Sequence, residues 1–234
     1  MTPSVIAIDG PSASGKSTTA AAVARALGLR HLDSGALYRG LTAVALDLPP
    51  GDRAAATIVR AAEARGLELR EAGGALVPFL DGRDAEPLIR SPEVTALVSE
   101  VSALAPVREW VNARLAQAAA PGGERPLVID GRDIGTAVFP DAPVKVFLTA
   151  SPEVRASRRL LQRTGRADPG DVAREAGLLA QRDSRDSSRA VAPLRRADDA
   201  VVFDTGALGF EEQVGEIVAV VLRRLPHLAA PDKF

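Results

Sequence analysis

Val5-Ile6-Ala7-Ile8-Asp9-Gly10-Pro11-Ser12-Ala13-Ser14-Gly15-Lys16-Ser17-Thr18 is the stretch that decides the fold. Its first four residues form a short apolar run of the kind that makes a strand buried on both faces. Residues 10–15 have loop composition. Residues 16–27 are rich in Ala with apolar side chains at helical spacing, and Gly28 stands where a helix ends. The order is strand, loop, helix. Residues 10–17 satisfy G-x-x-x-x-G-K-[ST] in full. Glycines let such a loop wrap a phosphate with its N–H groups inward, and the following helix adds the positive end of its dipole. Gly10, Pro11, Ser12, Ala13, Ser14, Gly15, Lys16, Ser17 and Thr18 are therefore the candidate triphosphate site. Lys16 supplies a point charge for the β/γ phosphates, and Ser17 (or its neighbour Thr18) a hydroxyl for Mg²⁺. The alternative is a chance match in a glycine-rich turn. Lysine is too scarce to favour it: only Lys16, Lys145 and Lys233 stand among 29 Lys and Arg.

The strand-to-helix rhythm recurs outward from this loop. Leu127-Val128-Ile129 precedes Asp130-Gly131, residues 144–148 precede a helix opening at Ser151-Pro152, and residues 200–203 precede Asp204-Thr205-Gly206 and a helix over about 210–224. Strands alternating with helices predict an α/β fold, a parallel sheet flanked by helices. One region breaks the rhythm. Leu67-Glu68-Leu69-Arg70 alternates, Gly73-Gly74 signals a hairpin, residues 76–80 read as a second strand despite Pro78, Asp81-Gly82 is another turn, and residues 84–89 are a candidate third strand. About 65–95 is thus expected to be a small antiparallel insertion within one domain spanning 1–234. Residues 118–125, with Pro121-Gly122-Gly123, read as a loop, and the tail after Leu225, with Pro226 and Pro231, as an unstructured end.

Composition excludes several classes. The chain has 234 residues, enough for a sizeable core, and 46% are apolar. A formal charge of −1 gives no global pull toward nucleic acid or a membrane. There is no cysteine, and the only histidines, His31 and His227, are far apart, so a protein-made zinc site is not expected. Met1-Thr2-Pro3-Ser4 carries no basic side chain before a very short apolar run, unlike a signal peptide, and no stretch reaches the length of a membrane span. A cytoplasmic protein is expected.

No Asn-Lys or Thr-Lys pair offers a guanine-reading motif, and Ile129-Asp130 is followed by Gly131 rather than a second acid. Both absences favour a small kinase over a switch or a motor. Three further segments bear on this. Leu32-Asp33-Ser34-Gly35-Ala36-Leu37-Tyr38-Arg39 leads from a strand into a helix, and suits either an anionic acceptor near the helix start or an ordinary capped helix. Asp130-Gly131-Arg132-Asp133 ends a parallel strand, where open α/β sheets bind ligands, or is a turn with a local ion pair. Arg155, Arg158, Arg159, Arg163 and Arg166 fall at roughly helical spacing, followed by Arg182-Asp183, Asp186 and Arg189. Such a run is either a solvated face or a set of guanidiniums that close on a transferring phosphoryl group.

Taken in order, these segments resemble the bacterial cytidylate kinase (CMP/dCMP kinase) family, from about Val5 to Thr205. The most specific strings are Asp130-Gly131-Arg132-Asp133-Ile134-Gly135-Thr136 with Val138-Phe139-Pro140-Asp141-Ala142, and Arg189-Ala190-Val191-Ala192-Pro193-Leu194. The resemblance implies ATP-dependent phosphorylation of CMP and dCMP by a monomeric enzyme using Mg·ATP. It implies that the insertion near 65–95 binds the acceptor and that 155–166 is a lid. It implies that Ser99, Arg108, Asp133 and Arg189 surround the cytosine, Arg182 and Asp186 the ribose, and Arg39 and Arg132 the acceptor phosphate, with Ser34 also at the acceptor. Lys16, Arg132, Arg155, Arg158 and Arg159 are the implied catalytic set. The chain departs from the family where Leu115-Ala116 replace a frequent Gln-Arg, and where the loop reads Ala13-Ser14 and Ser17. The rivals are a small P-loop kinase for UMP, AMP or shikimate, and a nucleotide-binding regulatory module without turnover.

Overall fold

A computed structural model of the chain describes residues 4–120 and 125–229. The apolar run Val5–Asp9 is strand β1, buried along its whole length. It lies in the interior of the sheet, flanked by β6 (Leu127–Gly131) and β7 (Val144–Thr149), both parallel to it. Successive strand side chains point to opposite faces. Val5 and Ala7 therefore enter one apolar core, and Ile6 and Ile8 the other. On the second face β1 is covered by α1 (Lys16–Ala26) and α9 (Phe210–Arg224). On the first it is covered by α2 (Ser34–Asp47), α3 (Ala55–Ala64) and α6 (Ala105–Ala118).

β2 (Arg30–Asp33) pairs with β6, and β8 (Val201–Asp204) with β7, again in parallel. Every strand of this parallel core ends on the same side, so its loops converge there. The expected insertion is built onto the sheet rather than set apart from it. β3 (Glu68–Ala72) and β4 (Ala75–Leu80) form a hairpin around Gly73-Gly74, both with positive φ, and β4 then joins β2 through His31↔Ala75 and Leu32↔Leu76. Positive φ at both turn residues gives a twist that matches the strands.

Two expectations are corrected here. The third strand is only β5 (Arg83–Asp84); residues 86–89 form a helical turn, α4 (Glu86–Ile89), with Pro87 in its first turn, where the missing N–H costs nothing. Helix α5 (Pro92–Val101) follows, capped by Ser91, so the antiparallel part ends well before residue 95. The tail after Leu225 is not unstructured at its start: Pro226–Leu228 is a 3₁₀ turn that buries Leu228 in the second core. Met1-Thr2-Pro3, Pro121-Gly122-Gly123 and Pro231 lie outside the described residues. Among those residues no helix is long and apolar enough to cross a membrane. Arg155, Arg158, Arg159 and Arg163 lie on α7 (Pro152–Thr164), which packs against α8 (Pro169–Ser188), whereas the expected helical spacing stops at Gly165 and leaves Arg166 beyond the helix.

Candidate active site

At the C-terminal ends of the parallel strands opens a cavity of about 1180 Å³. Its floor is the loop between β1 and α1. Gly10 comes so close to β7 that a Cβ there would lie 2.2 Å from the Leu148 carbonyl oxygen. That approach admits only glycine, and it presses the loop onto the sheet beneath the cavity.

Ser12 is held at every polar atom. Its N–H donates to Asp183 Oδ1 at 2.9 Å, its carbonyl accepts from Arg155 Nη1 at 2.9 Å, and its hydroxyl accepts from Arg132 Nη2 at 2.8 Å. Arg155 also donates to the Ala150 carbonyl and pairs with Asp183. Its Nε and Nη1 are thus engaged in a buried brace, and the side chain does not line the cavity. Of the five residues expected to be catalytic, Arg155 is the one that the structure does not bring to the cavity surface. Arg158 and Arg159 do line the cavity, with Arg158 donating to Thr205 Oγ1 at 2.8 Å and Arg159 pairing with Glu175 of α8 at 3.1 Å.

Positive charge crowds the middle of the cavity. Lys16, Arg39, Arg132 and Arg182 all line it. Burial, with Arg132 next in weight, lowers the Lys16 ammonium to about 7. Burial, with Arg90 next, lowers Arg39 to about 10, and burial, with Arg132 next, lowers Arg182 to about 9. Arg182 Nε is buried without a hydrogen-bond partner among the described residues. Among the described residues Lys16 Nζ donates only to the Pro11 carbonyl of its own loop, at 2.6 Å. Of the four, Arg132 has a carboxylate partner, Asp186, at 3.1 Å. Cations gathered against burial and mutual repulsion define a polyanion site.

A different chemistry occupies one end. Asp133 and Arg108 are 4% and 2% exposed and form a buried ion pair. Arg108 also donates to the Ser102 carbonyl at 3.2 Å and lies over the Tyr38 ring. Arg189 approaches Asp133 Oδ1 to 3.7 Å and keeps a buried Nε without a partner among the described residues. Ser99 lines the same end. Burial pushes the Tyr38 hydroxyl up to about 12, against the pull of Arg108, so it stays protonated. Asp9 supports this end from below: its carboxylate accepts the N–H groups of Ile134 and Gly135 at 2.9 and 2.8 Å, fixing the π-helical turn Ile134–Val138 that follows Asp133.

The donor end carries a pair of hard oxygens. Ser17 Oγ donates to Asp130 Oδ2 at 2.7 Å. Ser34 Oγ, at the start of α2, donates to the Asp130 carbonyl at 2.7 Å. Asp33 caps α2 by accepting the Gly35 N–H at 2.8 Å, an interaction worth about 1 kcal/mol in such helices. Arg39, one and a half turns on, is held by the Ile89 carbonyl and Thr95 Oγ1. Among the described residues no three His, Asp or Glu side chains gather as a metal cage. A hydroxyl and one carboxylate beside a phosphate loop form the donor set Mg²⁺ takes when phosphates complete its shell.

All the site residues named from sequence line this cavity or touch residues that do, Arg155 doing so only through Ser12. Sequence reasoning gave no individual role to Asp183, Tyr38 or Ser102, and took Asp130 only as one acid of the Asp130-Gly131-Arg132-Asp133 cluster. Asp130 was nevertheless visible as the acid ending β6, and Asp183 as the neighbour of Arg182.

A phosphate loop, a central cluster of cations and a buried Asp–Arg pair at one end of the same cavity, on one parallel sheet, define a P-loop kinase that acts on a small phosphorylated acceptor. The comparisons with known proteins sharpen that class. The family model described as cytidylate kinase matches residues 6–223. A cytidylate kinase of Geobacillus sp. strain WCH70 is 42% identical over 220 residues, 94% of this chain and 97% of that protein. One from Bacillus anthracis is 42% identical over 217 residues, 93% and 95% of the two chains. The chain belongs to the cytidylate kinase family, and is a nucleoside monophosphate kinase. A solved structure of an uncharacterised protein from Eubacterium ventriosum shares the fold at 11% identity, with a TM-score of 0.51 over 93% of this chain and 98% of that one.

Proposed function

We propose that the protein transfers the γ-phosphoryl group of Mg·ATP to CMP and dCMP. The observation that carries this is the Asp133–Arg108–Arg189 cluster, buried at one end of the cavity whose floor is the phosphate loop. Cytosine offers an amino donor at N4 and acceptors at O2 and N3. A carboxylate and guanidiniums side by side match that edge.

The acceptor phosphate is already an anion at neutral pH, so its attack on the γ-phosphorus needs no strong base. Catalysis is then positioning and charge stabilisation. Lys16 and the loop N–H groups hold the donor phosphates. Arg39, Arg132 and Arg182 hold the acceptor phosphate between the two nucleotides. Arg158 and Arg159 cover the transferring group from α7, with 155–166 acting as a lid that excludes water. Ser17 and Asp130 would hold Mg²⁺, which supplies neutralising charge at the β and γ oxygens. The antiparallel segment β3–β5 serves as the acceptor-side insertion.

Asp186 stands at the ribose. Its Oδ2 already accepts from Arg132, so losing a 2′-hydroxyl leaves it paired. Acceptance of dCMP follows, because a buried carboxylate is costly only when left without a donor. The enzyme is proposed to act as a monomer in the cytoplasm.

The test is ADP production from ATP and Mg²⁺ with CMP, dCMP, UMP, AMP and GMP offered separately. Turnover with CMP and dCMP and little with purines is expected. Turnover confined to another nucleotide would overturn the cytosine pocket, and none at all would leave a binding module.

A further inference from the structure

His31 lies in β2, 9% exposed, on the strand beside Asp130. Its Nε2 stands 2.7 Å from Asp130 Oδ1. An ionised carboxylate can only accept, so Nε2 carries the proton and donates it. The other oxygen of the same carboxylate accepts from Ser17, and the Asp130 carbonyl accepts from Ser34. Asp130 is 1% exposed and is thereby held at three points. Without His31, Oδ1 would be a buried acceptor with no donor, free to turn toward Ser17 in place of Oδ2 or to draw water into the strand. A group that holds one oxygen of a carboxylate while the other serves an ion is a familiar way to fix a site's geometry.

We propose that His31 is a positioning residue for the magnesium end of the site: by donating to Asp130 Oδ1 it aims Oδ2 at Ser17, so that carboxylate and hydroxyl meet Mg²⁺ together. His31 touches no reacting atom. Its role rests on the Mg·ATP donor site proposed above.

The test is Mn²⁺ binding to the enzyme·ADP complex, followed by electron paramagnetic resonance, in wild type, His31→Leu, His31→Gln and His31→Asn. Leu removes the donor at similar volume, whereas Gln and Asn each keep an N–H at a different reach. Mn²⁺ affinity is expected to fall about tenfold or more in His31→Leu and to return to within about threefold of wild type in one of the amides. Metal-free ADP affinity should not change. Wild-type Mn²⁺ affinity in a folded His31→Leu overturns the proposal, and so does an equal loss in all three variants, which marks a packing role. Absence of Mn²⁺ binding in wild type overturns the donor site and the role of His31 with it.

Should His31→Leu not fold, wild type decides alone. It has two histidines, His31 and His227. Adding Mg²⁺ to the ADP-saturated protein is expected to shift the His31 ring ¹⁵N resonance, assigned with His227→Gln. An unmoved resonance overturns the proposal.

Discussion

Asp183 and Ser12 are 171 positions apart and meet through a 2.9 Å hydrogen bond from the Ser12 N–H. One residue belongs to α8 and the other to the phosphate loop. Arg155 closes the triangle by donating to the Ser12 carbonyl and to Asp183. The two helices that bear the proposed lid and acceptor residues are thus tied to the donor loop through one serine backbone.

Asp183→Asn is expected to keep the acceptor for Ser12 but strand the buried Arg155 charge. Removing one partner of a buried pair costs about 3 kcal/mol. In a chain of this size that lowers Tm by roughly 6–12 °C. Thermal unfolding of the apoprotein measures it, and a fall below about 1 °C would show that the brace carries no weight.

Local signals made most of the fold legible. The run Val5-Ile6-Ala7-Ile8 and the loop after it announced a buried parallel strand and its helix, and Gly73-Gly74 and Asp81-Gly82 announced their hairpins. Where tertiary contacts decide, the signal failed. Residues 86–89 lack a neighbour to pair with and wind into a turn, placing Ile89 in the core. Leu228 is drawn into the core by α9. Within the site, the phosphate loop and the D-G-R-D acids were legible because they are contiguous. Arg155 shares the helical spacing of Arg158 and Arg159, and only the fold shows its guanidinium turned under the loop. No periodicity reports the 113 positions between Ser17 and Asp130.

Asp133→Asn keeps the shape of the base pocket and removes its charge. The partner Arg108 is 2% exposed and cannot turn to water. A hydrogen bond to a charged group is worth about 1.5–3 kcal/mol, so kcat/KM for CMP is expected to fall about 10–100-fold. UMP, which lacks the N4 donor, should lose less. Steady-state kinetics with both acceptors gives the ratio, and an unchanged CMP-to-UMP preference would place the cytosine elsewhere.

Lys16 links nucleotide binding to protons. Burial holds its ammonium at about 7, against an ordinary 10.5. Between those values the unfolded chain binds more protons than the folded one, so the Lys16 contribution makes apoprotein stability rise with pH through that window. A triphosphate beside Lys16 brings its affinity for a proton back up. ATP binding at pH 8 should therefore take up a proton. Calorimetry in buffers of different ionisation enthalpy reads that uptake, which Lys16→Met should abolish while cutting phosphoryl transfer by about 10²–10³-fold. Buffer-independent heats in wild type would contradict it.

Gly10 and Gly177 make a controlled comparison of what a single methyl does. At Gly10 the new Cβ would sit 2.2 Å from the Leu148 carbonyl, in a central strand hydrogen-bonded on both sides. Neither the β7 backbone nor φ of +156° can accommodate it, so the loop must lift from the sheet. Lifting it pulls on Ser12, and through Ser12 on Asp183, Arg155 and Arg132. Gly10→Ala is therefore expected to cost about 1–3 kcal/mol and to weaken ATP binding at least tenfold. At Gly177, within α8, nothing lies within 4 Å of an added Cβ, and Ala should raise stability by about 0.5–1 kcal/mol with ATP affinity unchanged. Chemical denaturation and ATP titration of the two variants separate the cases. If both lose ATP affinity alike, the loop is sensitive to α8 rather than to its seat on β7. If neither does, the close approach at Gly10 is not what shapes the phosphate cradle.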